Sequence, residues 1–559
     1  MKFSKIILTA VAAIGLLVQT GCEKTFLDKE SLSAVPGDFV ETTEDGLDLL
    51  LTGAYNGLQH RFYYGGTLYL YEATKGPDFF QRVATGGYSF ASENRYNGGK
   101  NMSGNVTNAW TQIYNVIRNT TILLELADDI PGDIEHLRHL KGEAYAIRAL
   151  AYFDLLRLYA YPPRYSCPWG SAYDPKYRWG VPIMDTRDKG YNALEYKTYL
   201  DEDRIIVFRE DRMDLLSDED RALINASPDK VADGIGRNTA QECWNLVKDQ
   251  LEKAWNLMQD VTAESGRMGA AAILALRQRV ALYMEDYALA ISLGEQWLNR
   301  FESNYSMLSY EGWSSLYYKP FSSESVFELK YSESDNMGSN SINYWARKQT
   351  YNIPGSPLDG TMSDNIGYAK LGLTFGTSSS AYELLEAYPL DVRRYLICDM
   401  GVAGQDWKSI RRYVGDPYHY VHNIPVIRLP EIYLNLSEAY YKRGRITEAI
   451  DMLSRVTLAR RQESSPTITG INTILDERRR EFILEGQTFF DWFRNGRNIS
   501  DRPILGYINS SATITFGSTT QVVYPIPLLE MNANPAIRRQ QNPGYGEWSF
   551  GIADDELGM

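Results

Sequence analysis

The stretch from Asp476 to Arg494, DERRREFILEGQTFFDWFR, is dense in charge and studded with Phe and Trp. Glu477, Glu481 and Glu485 recur at i, i+4 and i+8, a spacing that on a helix stacks three carboxylates on one face. Paired carboxylates are what hydrolysis of a glycosidic bond requires, one to protonate the leaving oxygen and one to act as nucleophile or base. Arg478, Arg479 and Arg480 follow Glu477 directly, however, and Phe482, Phe489, Phe490 and Phe493 mark a wide apolar face. The competing reading is a packed helix carrying an ion-pair network, and charge rows on helices are usually paired or solvated.

Other chemistries leave less trace. The chain has no phosphate-binding loop, no G-x-S-x-G and no HExxH. His136-x-x-His139 and His419-x-x-His422 have the spacing of metal ligands, but no third ligand is recognisable, so no metal and no cofactor are expected. Asp218-Glu219-Asp220 lacks the glycine and distal Glu of a calcium loop and reads as a solvated helix start.

The elements that must position these groups are mainly helical. Thr43 is placed as an N-cap, followed at helical spacing by Leu47, Leu50, Leu51, Ala54, Tyr55 and Leu58. Trp110, Ile113, Tyr114, Ile117, Thr121 and Leu124 line a second helix. A third runs from about Asp133 to Tyr161, with Leu140, Ala144, Ile147, Ala151 and Leu155 inward, and stops at Pro162-Pro163. A connector rich in Pro, Trp and charge fills about residues 164–237, after which Thr239-x-x-Glu242 forms a capping box. Two helix pairs then resemble one another. One, over 270–300, breaks near Glu285-Asp286 and the other, over 430–461, breaks at Arg443-Gly444-Arg445, both with Ala and Tyr at the junction. This is the pattern of tetratricopeptide-like hairpins. Val326–Lys330 and Pro425–Leu429 read as short strands. The fold class expected is therefore mainly α, a single domain of tetratricopeptide-like hairpins with long irregular insertions and a few short strands.

Two insertions interrupt the scaffold, about residues 61–105 and 303–425, rich in Gly, Ser, Asn and aromatics. Function concentrates on such loops. Such composition suits the grip of something flat and hydroxylated, by an aromatic platform flanked by amide, carboxylate or guanidinium groups. The segment YSFASENRYN supplies both, through Tyr88, Asn94, Arg95 and Tyr96, and Trp313, Tyr344, Trp345 and Tyr351 of the second insertion complete the candidates, which become glycan-binding candidates under the family resemblance given below. The chain holds 40 Tyr and 11 Trp, most of which must pack between helices.

With 559 residues, a formal charge of -14 and a pI near 5.1, the chain buries a large core and is a poor partner for nucleic acid. Like-charge repulsion also disfavours highly sulfated or uronate-rich polymers as ligands. Lys2 and Lys5, an apolar run from Ile6 to Val18, and Thr20-Gly21-Cys22 read as a targeting segment too short to span a bilayer. The run ends as a lipobox does, with Gln19 where Leu is usual, which makes Cys22 the acylated residue. Residues 1–21 are then a lipoprotein signal peptide and 22–40 a lipid-anchored tether. Cys167, Cys243 and Cys398 remain, an odd number without CxxC spacing.

Six segments in order resemble the SusD-like (SusD/RagB) family of outer-membrane lipoproteins of Bacteroidota. They are Cys22, WTQIY from Trp110 leading into Ile117-Arg118-Asn119, KGEAYAIRALAYFDLLRLYAYPP from Lys141, VIRLPEIYLNLSEAYYKRG from Val426, the opening DERRREFILEGQTFFDWFR, and YPIPLLEMNANPAIRRQQNPGY from Tyr524. Pro430-Glu431 departs from the Ala-Glu more usual in the family. The resemblance implies one domain over 41–559, an N-terminal part to about 300 and a C-terminal part from about 301. It implies non-catalytic glycan binding at the cell exterior and delivery to a SusC-like TonB-dependent transporter. A lipoprotein for a non-carbohydrate nutrient such as peptide, or a surface glycosidase, are the alternatives.

Overall fold

The computed structural model describes residues 37–81, 104–184, 194–201, 204–317, 319–332, 373–376, 379–399, 407–410, 422–504 and 507–545, together with Phe90, Glu93 and Tyr96. Cys22, with the signal peptide and most of the tether, lies outside them, as do Tyr88, Asn94, Arg95, Tyr344, Trp345 and Tyr351.

Eleven helices among the described residues carry the scaffold. α1 is Glu44–Gln59, α2 Thr67–Lys75, α3 Gly104–Leu126 and α4 Ile134–Tyr159. α5 is Ala240–Met258, α6 Ala270–Tyr283, α7 Tyr287–Phe301, α8 Leu429–Lys442, α9 Ile446–Arg461, α10 Ile471–Glu481 and α11 Thr488–Asn495. α4 is the axis. Every residue from Gly142 to Tyr159 is buried, which fits a helix enclosed on all sides by α3, α5 and their neighbours. Two of its buried charges pair there: Asp154 binds Arg157 and accepts from the Tyr63 hydroxyl at 2.6 Å.

The local signals act as expected. The Thr43 side chain accepts from Gly46 N at 3.0 Å, and Thr239 with Glu242 closes a full capping box at the start of α5. α6 and α7 form one antiparallel hairpin, α8 and α9 the other, turning at Glu285 (φ 58°) and Gly444 (φ 75°). α7 packs on α8, so the hairpins stack. Gly294 permits the approach, since a Cβ there would stand 2.6 Å from Leu436 of α8. Ala281, Ala290, Ala439 and Ala449 are buried at the same junctions. One hydrophobic core runs from Leu47 to Ile537.

The strands are short. Ser325–Leu329 pairs antiparallel with Ile424–Arg428, joining the two ends of the second insertion. The 164–237 connector, which shows no clear period in sequence, folds around a three-stranded antiparallel sheet, with Leu194–Leu200 between Ile205–Phe208 and Val231–Gly236. This sheet and the short helix Asp218–Ala226 share a separate small core of Tyr199, Ile206, Phe208, Leu216 and Ile224. Arg237, fully buried, ties the module back to the body by donating to the carbonyls of Gly180 at 2.7 Å, Tyr159 at 3.0 Å and Trp179 at 3.2 Å, and to Asn542 Oδ1 at 3.0 Å.

Candidate functional site

The charged stretch is not one helix. α10 ends at Glu481 and α11 begins at Thr488, with Leu484 (φ 61°) and Gly486 (φ 71°) in left-handed conformation between them. Glu477 and Glu481 share a helix, while Glu485 sits in the turn. All three are occupied by guanidinium groups. Glu477 pairs with Arg393 at 2.7 Å, Arg480 at 2.9 Å and Arg461. Glu481 pairs with Arg428 at 2.8 Å, Arg460 at 2.9 Å and Arg393 at 3.2 Å, and Glu485 with Arg428 at 2.8 Å. Glu324 and Asp391 complete the set, at 2.7 Å from Arg460 and 2.6 Å from Arg393. A second group follows, in which Arg478 binds Asp491 at 2.7 Å and Arg494 bridges Asp491 and Glu438 at 2.7 and 2.6 Å.

Burial alone would raise these carboxyls, but the surrounding arginines outweigh it and hold Glu477 and Glu481 well below the usual carboxylate range. For Glu438 burial is likewise outweighed by Arg494, which brings it down to about 2. A glycosidase acid must hold a proton and face an open cleft. These groups do neither, so the stretch is a structural clasp.

Of the eight glycan-binding candidates, the described residues include Tyr96 and Trp313. Trp313 is 2 % exposed and packed in the core, so neither face of its indole is open to a sugar. It is scaffold, a buried ring that its aromatic-rich segment made look like surface. Tyr96 is half-buried and covers the end of α2. Its hydroxyl donates to Lys75 O at 2.8 Å, and the Lys75 ammonium stands 3.7 Å from its ring centroid. Lys75 is itself buried and donates to Gln521 O. Beside it, Glu93 is pushed up to about 7 by burial, with the Tyr524 hydroxyl 3.5 Å from Oε1.

A concave site lies where no candidate was placed. The loop 261–266, the start of α6, the end of α7 and the strand Ser325–Leu329 enclose a cleft of about 230 Å³. Phe301 and Tyr305 present half-buried rings to it, and Thr262, Glu264, Ser265 and Asn304 form an exposed polar rim. Glu328, also in the lining, is spent internally, accepting from Phe321 N at 2.9 Å and Ser325 Oγ at 2.7 Å. Tyr305 belongs to the aromatic start of the second insertion, a signal that was present. The loop 261–266 carries no aromatic and gives none.

Comparison with known proteins agrees with this architecture. A family profile described as "Starch-binding associating with outer membrane" matches residues 25–282, and one described as "SusD family" matches residues 408–545. SusD-like protein P38 of Formosa agariphila is 23% identical over 97% of this chain and all of its own length. The crystal structure of a SusD superfamily protein from Bacteroides thetaiotaomicron superposes with a TM-score of 0.70 at 24% identity, covering 90% of this chain and all of that one. A laminarin-binding SusD-like protein gives a TM-score of 0.59 at 18% identity, covering 90% and 100%. With matching profiles in both halves and the same fold along nearly its whole length, the chain belongs to the SusD-like family.

Proposed function

We propose that the chain is a lipid-anchored, cell-surface protein that captures oligosaccharide or polysaccharide and delivers it, uncleaved, to a SusC-like TonB-dependent transporter of the outer membrane. The observation that carries this reading is the fate of the carboxylates. Glu477, Glu481 and Glu485, the groups best spaced for glycoside hydrolysis, are consumed in buried ion pairs, which favours binding over chemistry. The family descriptions support carbohydrate as the ligand and the outer membrane as the location. Residues on the two insertions supply the aromatic and amide groups that sugars need, with Tyr88, Asn94, Arg95 and Tyr96 on the first and Tyr344, Trp345 and Tyr351 on the second. The formal charge of -14 favours a neutral glycan.

The test is an array of neutral and acidic glycans probed with the full chain, run beside a reducing-sugar assay and affinity purification from outer membranes. Binding to a neutral glycan without release of reducing ends, and recovery of a TonB-dependent transporter, is the expected result. Release of reducing ends would restore the glycosidase reading, and capture of peptide without glycan would replace carbohydrate as the ligand.

A further inference from the structure

We propose that the cleft beside the 261–266 loop is a subsite for one neutral sugar ring of the glycan, and that Tyr55 of α1 is the residue that positions its wall. The inference rests on the glycan-binding function proposed above. The size of the cleft sets the scale of the ligand. About 230 Å³ falls below the roughly 300–1,000 Å³ that holds a drug-sized molecule, so one ring enters while the rest of the chain stays in solvent. Its lining has the two surfaces a pyranose needs: the rings of Phe301 and Tyr305 for the C–H face, and Ser265, Asn304 and Glu264 for hydroxyls. The Tyr305 ring is itself backed by Trp297, 5.4 Å away between centroids, which fixes the platform.

The wall is held before any ligand arrives. Val261 N donates to Met258 O at 2.9 Å, Arg267 N to Glu264 O at 3.0 Å, and Ala270 N to Val261 O at 3.0 Å. Gly266 (φ 94°) makes the turn between them. Tyr55 then ties this loop to the helices. Its hydroxyl accepts from Met268 N at 2.8 Å and donates to Glu143 of α4. The Arg267 guanidinium lies over the Tyr55 ring, 5.3 Å from the centroid, and reaches Glu143 at 3.4 Å and Asp48 at 3.3 Å. One hydroxyl therefore serves a buried N–H on the loop and a buried carboxylate on the central helix. Phenylalanine fills the same space and can serve neither. A wall loosened in this way must be ordered again on binding, which lowers affinity even though every group that touches the sugar is still in place.

The experiment compares full-length wild type with Tyr305→Ala, Asn304→Ala and Tyr55→Phe on an array of neutral oligosaccharides that includes starch- and laminarin-derived chains. Amide hydrogen exchange is followed over residues 259–269. Tyr305→Ala should weaken binding about tenfold and lower the thermal midpoint, since the ring packs on Trp297, whereas Asn304→Ala, at an exposed side chain, should weaken binding less at an unchanged midpoint. Tyr55→Phe should weaken binding severalfold and speed exchange in the 259–269 segment, whereas Tyr305→Ala leaves that exchange unaltered. Wild-type binding that survives all three substitutions overturns the subsite and leaves the glycan-binding function intact. Failure of wild type to bind any glycan on the array overturns that function, and the subsite with it. Weakened binding in Tyr55→Phe with unaltered exchange overturns the positioning role alone.

Discussion

Glu481→Gln is the substitution that separates clasp from catalyst most cleanly. Arg393, Arg428, Arg460, Arg461 and Arg480 meet Glu324, Asp391, Glu477, Glu481 and Glu485 in one connected set of buried ion pairs, five cations against five anions, with the more exposed Glu463 attached at its rim through Arg461. Glu481 sits at its centre, bound to Arg393, Arg428 and Arg460, which between them reach the other four carboxylates. Neutralising it leaves one buried positive charge uncompensated and turns an amide donor toward guanidinium donors. Breaking a buried pair in this way costs about 3–5 kcal/mol. The assay is equilibrium urea unfolding together with the thermal midpoint. Arg460→Met removes one cation while keeping an apolar stem in place, so the double variant with Glu481→Gln restores the balance of charge. Its loss should fall short of the two single losses combined by about 1–3 kcal/mol. Full stability in Glu481→Gln, or strict additivity in the double variant, would refute the network. So would loss of a hydrolytic activity at unchanged stability.

Three further outcomes follow from named groups. Burial pushes Glu72 up to about 8, Glu93 up to about 7 and Glu143 up to about 6. The folded chain thus holds protons that the unfolded chain has released above about pH 4.5, and stability falls as pH rises through pH 5–8, by about 1.4 kcal/mol per pH unit from Glu72 alone. Glu438, Glu477 and Glu481 are shifted down, so their contribution is present above about pH 4.5 and is lost as pH falls below it. A thermal midpoint that peaks near pH 5 is expected, and a steady rise from pH 5 to 8 would contradict it. Tyr96→Ala, which sequence alone would pass as neutral for stability, uncovers the buried Lys75 and removes a hydrogen bond to its carbonyl. A loss of about 1–2 kcal/mol is expected in thermal unfolding, with Tyr96→Phe, which keeps the ring over Lys75 and loses only the hydrogen bond, losing less; an unchanged midpoint in Tyr96→Ala would contradict this. Cys22→Ser should abolish acylation and move the protein from the membrane to the soluble fraction on cell fractionation; retention at the membrane would remove the lipid anchor from the proposal.

Much of the scaffold was readable because its signals are local. The capping box at Thr239 and Glu242, the stop at Pro162-Pro163 and the turns at Glu285 and Gly444 each act within four residues. The break inside Asp476–Arg494 was readable too, in Gly486, but the run of charge and Phe on both sides hid it. The three-stranded sheet was missed because its central strand, LEYKTYL, is bordered by acidic and basic runs that dilute a period-two pattern. The candidate site was less legible, for a physical reason. A sequence shows that Trp313 and Tyr305 are aromatic, but exposure is decided by what folds over them, and one is sealed in the core while the other faces a cleft. That cleft joins segments at 261–272, 301–305 and 321–328, whose proximity has no local signature.

The position of the clasp explains why so much charge is buried. Glu324 stands just before one strand of the second insertion, Arg428 ends the partner strand, and Asp391 and Arg393 lie between. The α10 carboxylates bind Arg393 and Arg428 directly and, through Arg428 and Arg460, also hold Glu324. The network therefore fixes the insertion near where it leaves the scaffold, at Asp391 and Arg393, and where it returns, all against the last hairpin. Apolar packing at those points would bury as well, but it is non-directional and tolerates sliding, whereas bidentate guanidinium–carboxylate pairs fix angle as well as distance. An insertion held at three such points can change its intervening residues without moving its feet. On the proposed reading, that is the arrangement a binding protein needs if its ligand surface is to be altered on a constant body, and the charged stretch then serves it as a structural clasp.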